Sequence, residues 1–138
     1  MKKLVSLLLG LSGALCYGIV AGGAHASEAA VIIDNSQPIS SQVELLMRKK
    51  AGTMVETCVA IPAKYKVSFN YTSPEETLFS VHYHQDGKVL LAYDEDKRSA
   101  LTSQFTTKLD QNYCFTWVNS KGKTNDGVIL LEYEATPI

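Results

Sequence analysis

The chain reads as an all-β protein, an antiparallel β-sandwich of about seven or eight short strands (jelly-roll-like) following an N-terminal signal helix. Three observations predict this class. Beyond residue 51, apolar and polar residues alternate with period two, the mark of strands with one buried face. Helix signals are nearly absent, while turn-forming residues recur at short intervals. A length of 138 residues leaves room for one core.

The first 26 residues have the layout of a secretory signal peptide. Lys2 and Lys3 precede an apolar stretch, and Ala24-His25-Ala26 supplies small residues for cleavage before Ser27. Gly10, Ser12, Gly13, Gly18, Gly22 and Gly23 interrupt the stretch, which falls short of the ~20 residues that a membrane span needs. Cys16 follows Leu15 inside it, without the small residue that precedes a lipoprotein cysteine, and is expected to leave with the signal. The mature chain is thus expected in the periplasm or outside the cell. Its organisation reads as an N-terminal strand and linker over 27–52 and a sandwich domain over 53–138.

Without Lys2 and Lys3 the 13 basic residues become 11 against 14 acidic ones, a net charge of −3. With no basic run beyond Arg48-Lys49-Lys50, a nucleic-acid partner is excluded. A monomer is expected.

The elements follow from residue 30 onward. Residues 30–34 suit a short first strand, and Asn35-Ser36-Gln37-Pro38 a turn. Val43, Leu45 and Met47 alternate, although Leu46 leaves a helical turn open. Thr53, Val55, Thr57 and Val59 make a β-branched run that Pro62 ends. In 65–71, Tyr65, Val67, Phe69 and Tyr71 share one face and Lys66, Ser68 and Asn70 the other. Ser73-Pro74-Glu75-Glu76 reads as a turn, followed by a strand with Phe79, Val81 and Tyr83 on one face. Asp86-Gly87 is a hairpin signal. The chain returns through 89–93, loops out over the charged run 94–98, and re-enters a strand at 100–106. A turn at 110–112 leads into 113–119, with Tyr113, Phe115 and Trp117 aligned. The last strand covers 127–134.

Three segments, LFSVHYHQDGKVL, QFTTKLDQNYCFTWVNS and GVILLEYE, together resemble the Golgi-dynamics (GOLD) type of β-sandwich. The matching residues are Asp86-Gly87, Phe105, Tyr113, Cys114, Phe115 and Asn119. The chain is more similar still to a group of small exported bacterial proteins of unknown role that carry a His-Tyr-His strand and a Tyr-Cys-Trp-x-Trp-x-Asn strand. His82-Tyr83-His84 and the segment from Tyr113 to Asn119 fit these, with Phe115 in place of the first Trp. The resemblance spans roughly 53–134. It implies a pairing of Cys114 with a cysteine placed as Cys58 is, and no coiled coil or anchor follows the last strand, so it implies no trafficking role.

The candidate chemistry is sparse. Cys58 and Cys114 are the cysteines left after cleavage, and an even count in an oxidising compartment favours a disulfide. Cys114 is also open to reading as a metal ligand or a free thiol. His82 and His84 fall on one side of their strand with Cβ atoms roughly 7 Å apart, a spacing at which two imidazoles can chelate zinc or copper. A third ligand would have to come from elsewhere, with Asp94, Asp96, Glu134 and Cys114 as candidates. The plainer reading is two histidines on a solvated face. Tyr113, Phe115 and Trp117 form either an aromatic ligand surface or, more simply, core. No nucleophile motif, zinc-protease motif or phosphate loop is present. The expected function is a non-enzymatic binding module, without a cofactor, acting on another envelope or secreted protein, a lipid or a glycan. The alternative is a copper- or zinc-binding periplasmic protein.

Overall fold

The structure, a computed structural model, describes residues 36–123 and 125–138. The signal segment, its cleavage site and the strand expected over 30–34 lie outside the described residues. Those described form six antiparallel strands and no helix: β1 (Ile39–Met47), β2 (Thr53–Ile61), β3 (Tyr65–Gln85), β4 (Lys88–Thr106), β5 (Gln111–Asn119) and β6 (Gly127–Pro137).

The strands make one sheet in the order β1-β6-β3-β5-β2, with β4 along the other edge of β3. Two partners share one side of β3. Tyr65 to Thr72 pair with β6, whereas Leu78 to His82 pair with β5. β4 accompanies β3 along both halves. The sheet therefore curls into two wings: β1, β6 and the first half of β3 in one, and β2, β5 and the second half of β3 in the other. Their inner faces meet. Phe115 of β5 stacks on Tyr133 of β6 at 5.5 Å between ring centroids, and Phe69 meets Phe115 at 5.6 Å.

Period-two alternation builds this core. Tyr65, Val67, Phe69, Tyr71, Phe79 and Val81 of β3 are all buried, as are Tyr113, Phe115 and Trp117 of β5 and Ile129, Leu131 and Ala135 of β6. Large aromatic rings each bury some 150 to 250 Å² and so carry much of the stabilising area. The alternate residues Lys66 and Asn70 are exposed. The Asp86-Gly87 hairpin has φ of 52° and 71°, the pair of positive values that a tight primed turn requires.

Two expected turns are strand interior, which corrects the seven or eight strands to six and the sandwich of separate sheets to one curled sheet. Residues 73–76 belong to β3. Between Thr72 and Thr77 the strand advances five residues while its partner β4 moves from Ala100 to Arg98, so β3 holds three extra residues in a bulge. Pro74 is tolerated there because a bulged residue needs no ladder N–H. Its ring lies against the start of β6, where a Cβ added to Gly127 would come 2.7 Å from Pro74 Cγ. The charged run 94–98 belongs to β4. Its charges sit on an edge strand, where they cost no burial, and pair locally: Arg98 Nε donates to Asp96 Oδ2 at 2.8 Å and Lys97 Nζ lies 3.7 Å from Glu76 Oε2. Gln111 and Asn112, expected in a turn, open β5 opposite Ile61 and Ala60.

Buried polar groups close the ends. Asn119 donates from Nδ2 toward the carbonyls of Arg48, Lys49 and Lys50 at 3.1, 3.1 and 3.3 Å, fixing the β1–β2 turn onto the end of β5. Thr107 Oγ1 accepts from the Tyr65 N–H at 2.9 Å and donates to the Pro62 carbonyl.

Candidate functional site

Directly paired residues in a sheet project to the same face, so the register of the second wing gives its outer surface. Cys58, Cys114, His82 and Leu91 form one row across β2, β5, β3 and β4. Glu56, Thr116 and Ser80 form the row beside it, and Met54, Val118 and Leu78 the next. His84 and Val89 pair on the other side of the cysteine row. Met54, Val89 and Leu91 are 56%, 60% and 48% exposed, so this face presents large apolar side chains to solvent.

Cys58 and Cys114 form a disulfide between directly opposed residues, with Cα atoms 4.0 Å apart. Cys114 is buried beneath its neighbours while Cys58 is exposed. The bridge ties edge strand β2 to β5 on the face away from the aromatic core.

His82 and His84 lie beside it, with ring centroids 5.3 Å apart. The His82 ring is largely covered, its Nδ1 3.1 Å from Thr116 Oγ1 and its Nε2 3.9 Å from Glu56 Oε2. Thr116 Oγ1 is in turn 3.5 Å from both Glu56 Oε2 and the Cys114 carbonyl oxygen. His84 is exposed.

The third ligands considered from sequence are bonded already or lie elsewhere. Cys114 is held in the disulfide, and Glu134 sits on the other wing, opposite Ser40 and Ser68. Asp96 is engaged by Arg98, and Asp94 is exposed on the bent edge strand β4. The carboxylate that the fold brings to His82 is Glu56. It was missed because β2 and β3 are consecutive in sequence, yet β5 inserts between them, and only that insertion puts Glu56 and His82 on either side of Thr116.

Tyr113, Phe115 and Trp117 are core: each is 1% exposed or less. Burial pushes the Tyr113 hydroxyl above its ordinary pKa, and the hydroxyl donates to the Leu109 carbonyl at 2.9 Å. Burial likewise drives Tyr71 up to about 12, with the nearby Asp96 charge adding to the effect.

Several hollows lie away from the histidines. An open groove of about 510 Å³ on the first wing is lined by Ser68, Asn70, Thr102, Gln104, Glu132 and Glu134. A smaller one of about 270 Å³ sits at the β3 bulge between Met47, Pro74, Thr77 and Lys123. Lys123 spans its rim, donating to the Glu76 carbonyl and lying 3.5 Å from Glu75 Oε2.

No protein-family model matches the chain, and no curated protein matches it, so the GOLD-type pattern has no family match behind it. Among solved structures, the chain is similar in fold to PliG from Aeromonas hydrophila, a periplasmic lysozyme inhibitor of g-type lysozyme. The TM-score is 0.55 at 12% identity, over 70% of this chain and 86% of that one. A weaker likeness, TM-score 0.39 at 15% identity, is to the acid-stable capsid of Helicobacter pylori bacteriophage KHP30, over 74% of this chain and 94% of that one. The fold is thus one that also occurs in a small all-β periplasmic protein.

Proposed function

We propose that the chain is an exported, non-enzymatic protein-binding module of the cell envelope. The observation that carries the reading is the outer face of the second wing. Met54, Val89 and Leu91 stand exposed around a disulfide that ties β2 to β5, and an exposed group of large apolar side chains suits a protein partner. Lipid and glycan partners rank below it, because charged and polar groups, among them Glu56 and His84, interrupt the apolar side chains. Export is supported by the signal pattern in the first 26 residues together with the disulfide, a bond that persists in oxidising compartments. The kinship with GOLD-type domains belongs to this proposal and rests on the residues quoted for it.

The fold likeness to PliG makes a secreted muramidase the first partner to try. The test mixes the polypeptide 27–138 with g-type and c-type lysozymes and reads residual cell-wall lysis. In parallel, a photo-crosslinking residue at Leu91 is compared with one at Leu46 on the first wing, using the native envelope fraction. A defined protein adduct specific to position 91 supports the reading, and lysozyme inhibition lost in Leu91→Lys names the partner class. Equal, non-specific adducts at both positions would refute the assignment of this face.

A further inference from the structure

We propose that the hollow at the β3 bulge is a binding site for a small neutral secondary amide, a short acyl group carried on an N–H. Its lining shares no residue with the exposed outer face of the second wing, so it stands apart from the protein-binding reading.

The bulge makes the hollow. The extra residues of β3 between Thr72 and Thr77 carry Pro74 against the start of β6, and a space of about 270 Å³ remains whose apolar lining is Met47, Pro74 and Gly127. Bulges of this kind are over-represented beside functional sites. A volume below the ~300 Å³ at which pockets for drug-sized ligands begin suits a guest of one small group or ring.

Thr77 separates this hollow from a mere dimple in the surface. It lines the space, is 2% exposed, and its Oγ1 is buried without a hydrogen-bond partner. Buried hydroxyls are nearly always paired, because desolvating one without a partner is costly. The register adds a second observation. Leu78 opposes Val118 and Phe79 opposes Trp117, so Thr77 continues the ladder opposite Asn119, and all three polar residues share the inner face. Among the described residues, the buried side-chain atoms that lack a partner are Thr77 Oγ1, Trp117 Nε1 and Asn119 Oδ1. They gather at one end of the second wing, and Thr77 brings one of them to the hollow.

Charge selects the guest. Lys123, its side chain 14% exposed, donates from Nζ to the Glu76 carbonyl and stands 3.5 Å from Glu75 Oε2, which leaves one ammonium hydrogen to give. Asp126 accepts from the Lys49 N–H at 2.8 Å and from Arg48 Nη1 at 3.0 Å. Each charge in the lining thus has its opposite beside it, so neither a cation nor an anion finds an unmatched counter-charge there. A neutral guest that accepts from Lys123, donates to Thr77 Oγ1 and lays a short apolar group on Met47 and Pro74 uses every part of the lining. A secondary amide with a small acyl group has that composition, whereas a plain polyol lacks the apolar end. Acylated amino sugars and acylated peptide ends both carry it.

The experiment titrates the isotope-labelled, oxidised polypeptide 27–138 with N-acetylglucosamine, N-acetylalanine methylamide, glucose and glucosamine, followed by nuclear magnetic resonance. The expected result is saturable shifts with an acylated compound at the amides of Thr77, Asn125 and Gly127, and at the indole N–H of Trp117, the chain's one tryptophan. Saturation by the sugar alone assigns an amino-sugar source; saturation by the methylamide assigns the amide itself. Thr77→Val should weaken binding about 5- to 10-fold with Tm unchanged or raised, because the hydroxyl has no internal partner to lose. Lys123→Met should weaken it about tenfold. Gln104→Ala, in the first-wing groove, should leave it unchanged. Glucose or glucosamine binding as tightly as the acylated compounds would overturn the proposal, as would shifts centred on the first-wing groove. So would the absence of saturable shifts with both acylated compounds, or a Thr77→Val variant with unaltered affinity or lowered Tm.

Discussion

Asn119 offers the most direct test of how this fold is closed. Its side chain is 1% exposed, and its amide nitrogen faces the carbonyl oxygens of Arg48, Lys49 and Lys50. An amide NH₂ has two hydrogens, so about two full hydrogen bonds are shared among three acceptors. Each is worth about 1 kcal/mol net, and the carbonyls left behind are partly rewetted because the turn residues are exposed. Asn119→Ala should therefore cost about 2 kcal/mol. With a urea m-value near 1 to 1.5 kcal/mol/M for a domain of this size, the unfolding midpoint should fall by about 1.5 M. Asn119→Asp should cost more at neutral pH, because it sets a carboxylate against three carbonyl oxygens. The folded-state pKa of that acid is raised above the unfolded value of about 3.9. Its stability gap to the wild type is then smallest below that value and widens as pH rises through the folded pKa. Urea titrations at pH 3.5, 5 and 7 measure both effects. An alanine variant within 0.5 kcal/mol of wild type, or an aspartate gap that does not change with pH, would refute the account of Asn119 as the tie between turn and sheet.

Replacing both Cys58 and Cys114 by alanine opens a loop spanning 56 positions; the chain-entropy relation gives about 4 kcal/mol of lost stability, which calorimetry should show as a fall in Tm of roughly 15 to 30 °C. A loss under 1 kcal/mol would mean the unfolded chain is not what the bridge restrains. Gly127→Ala forces a methyl group to 2.7 Å from Pro74 Cγ and should cost about 1 to 3 kcal/mol, largely recovered in the Gly127→Ala/Pro74→Ala double variant, as a double-mutant cycle would reveal. At alkaline pH, Tyr71 keeps its proton to about 12 in the fold but loses it near 10.0 when unfolded, so stability should hold up to pH 10 and fall between 10 and 12. Tyr113 and Tyr133 are raised in the same direction, and Tyr71→Phe should flatten the fall in denaturation midpoint without abolishing it.

Much of the fold was legible because alternation is a local signal. Tyr65 to Tyr71 and Tyr113 to Trp117 reveal their inner faces within a few residues, and Asp86-Gly87 fixes a hairpin by its backbone preference alone. The bulge was not legible. Ser73-Pro74-Glu75-Glu76 carries every local mark of a turn, and whether it turns or bulges is decided by β4 keeping pace on the neighbouring edge. The charged run 94–98 misleads in the same way, since polar composition signals a loop in isolation and an edge strand in a sheet. Of the candidate site, parity placed His82 and His84 on the outer face, whereas Glu56 and Thr116 required the strand order. That order follows from long-range pairing, to which sequence separation gives no guide.

The bent pair β3 and β4 also constrains how the molecule can come apart. Each wing borrows half of both strands, so neither wing owns a complete sheet and neither has an independent folding equilibrium. A cut in the Asp86-Gly87 hairpin, made with the Cys58–Cys114 disulfide reduced, should thus leave two pieces that are unstructured apart and restore the native spectrum on mixing, because half of each spine strand belongs to each wing.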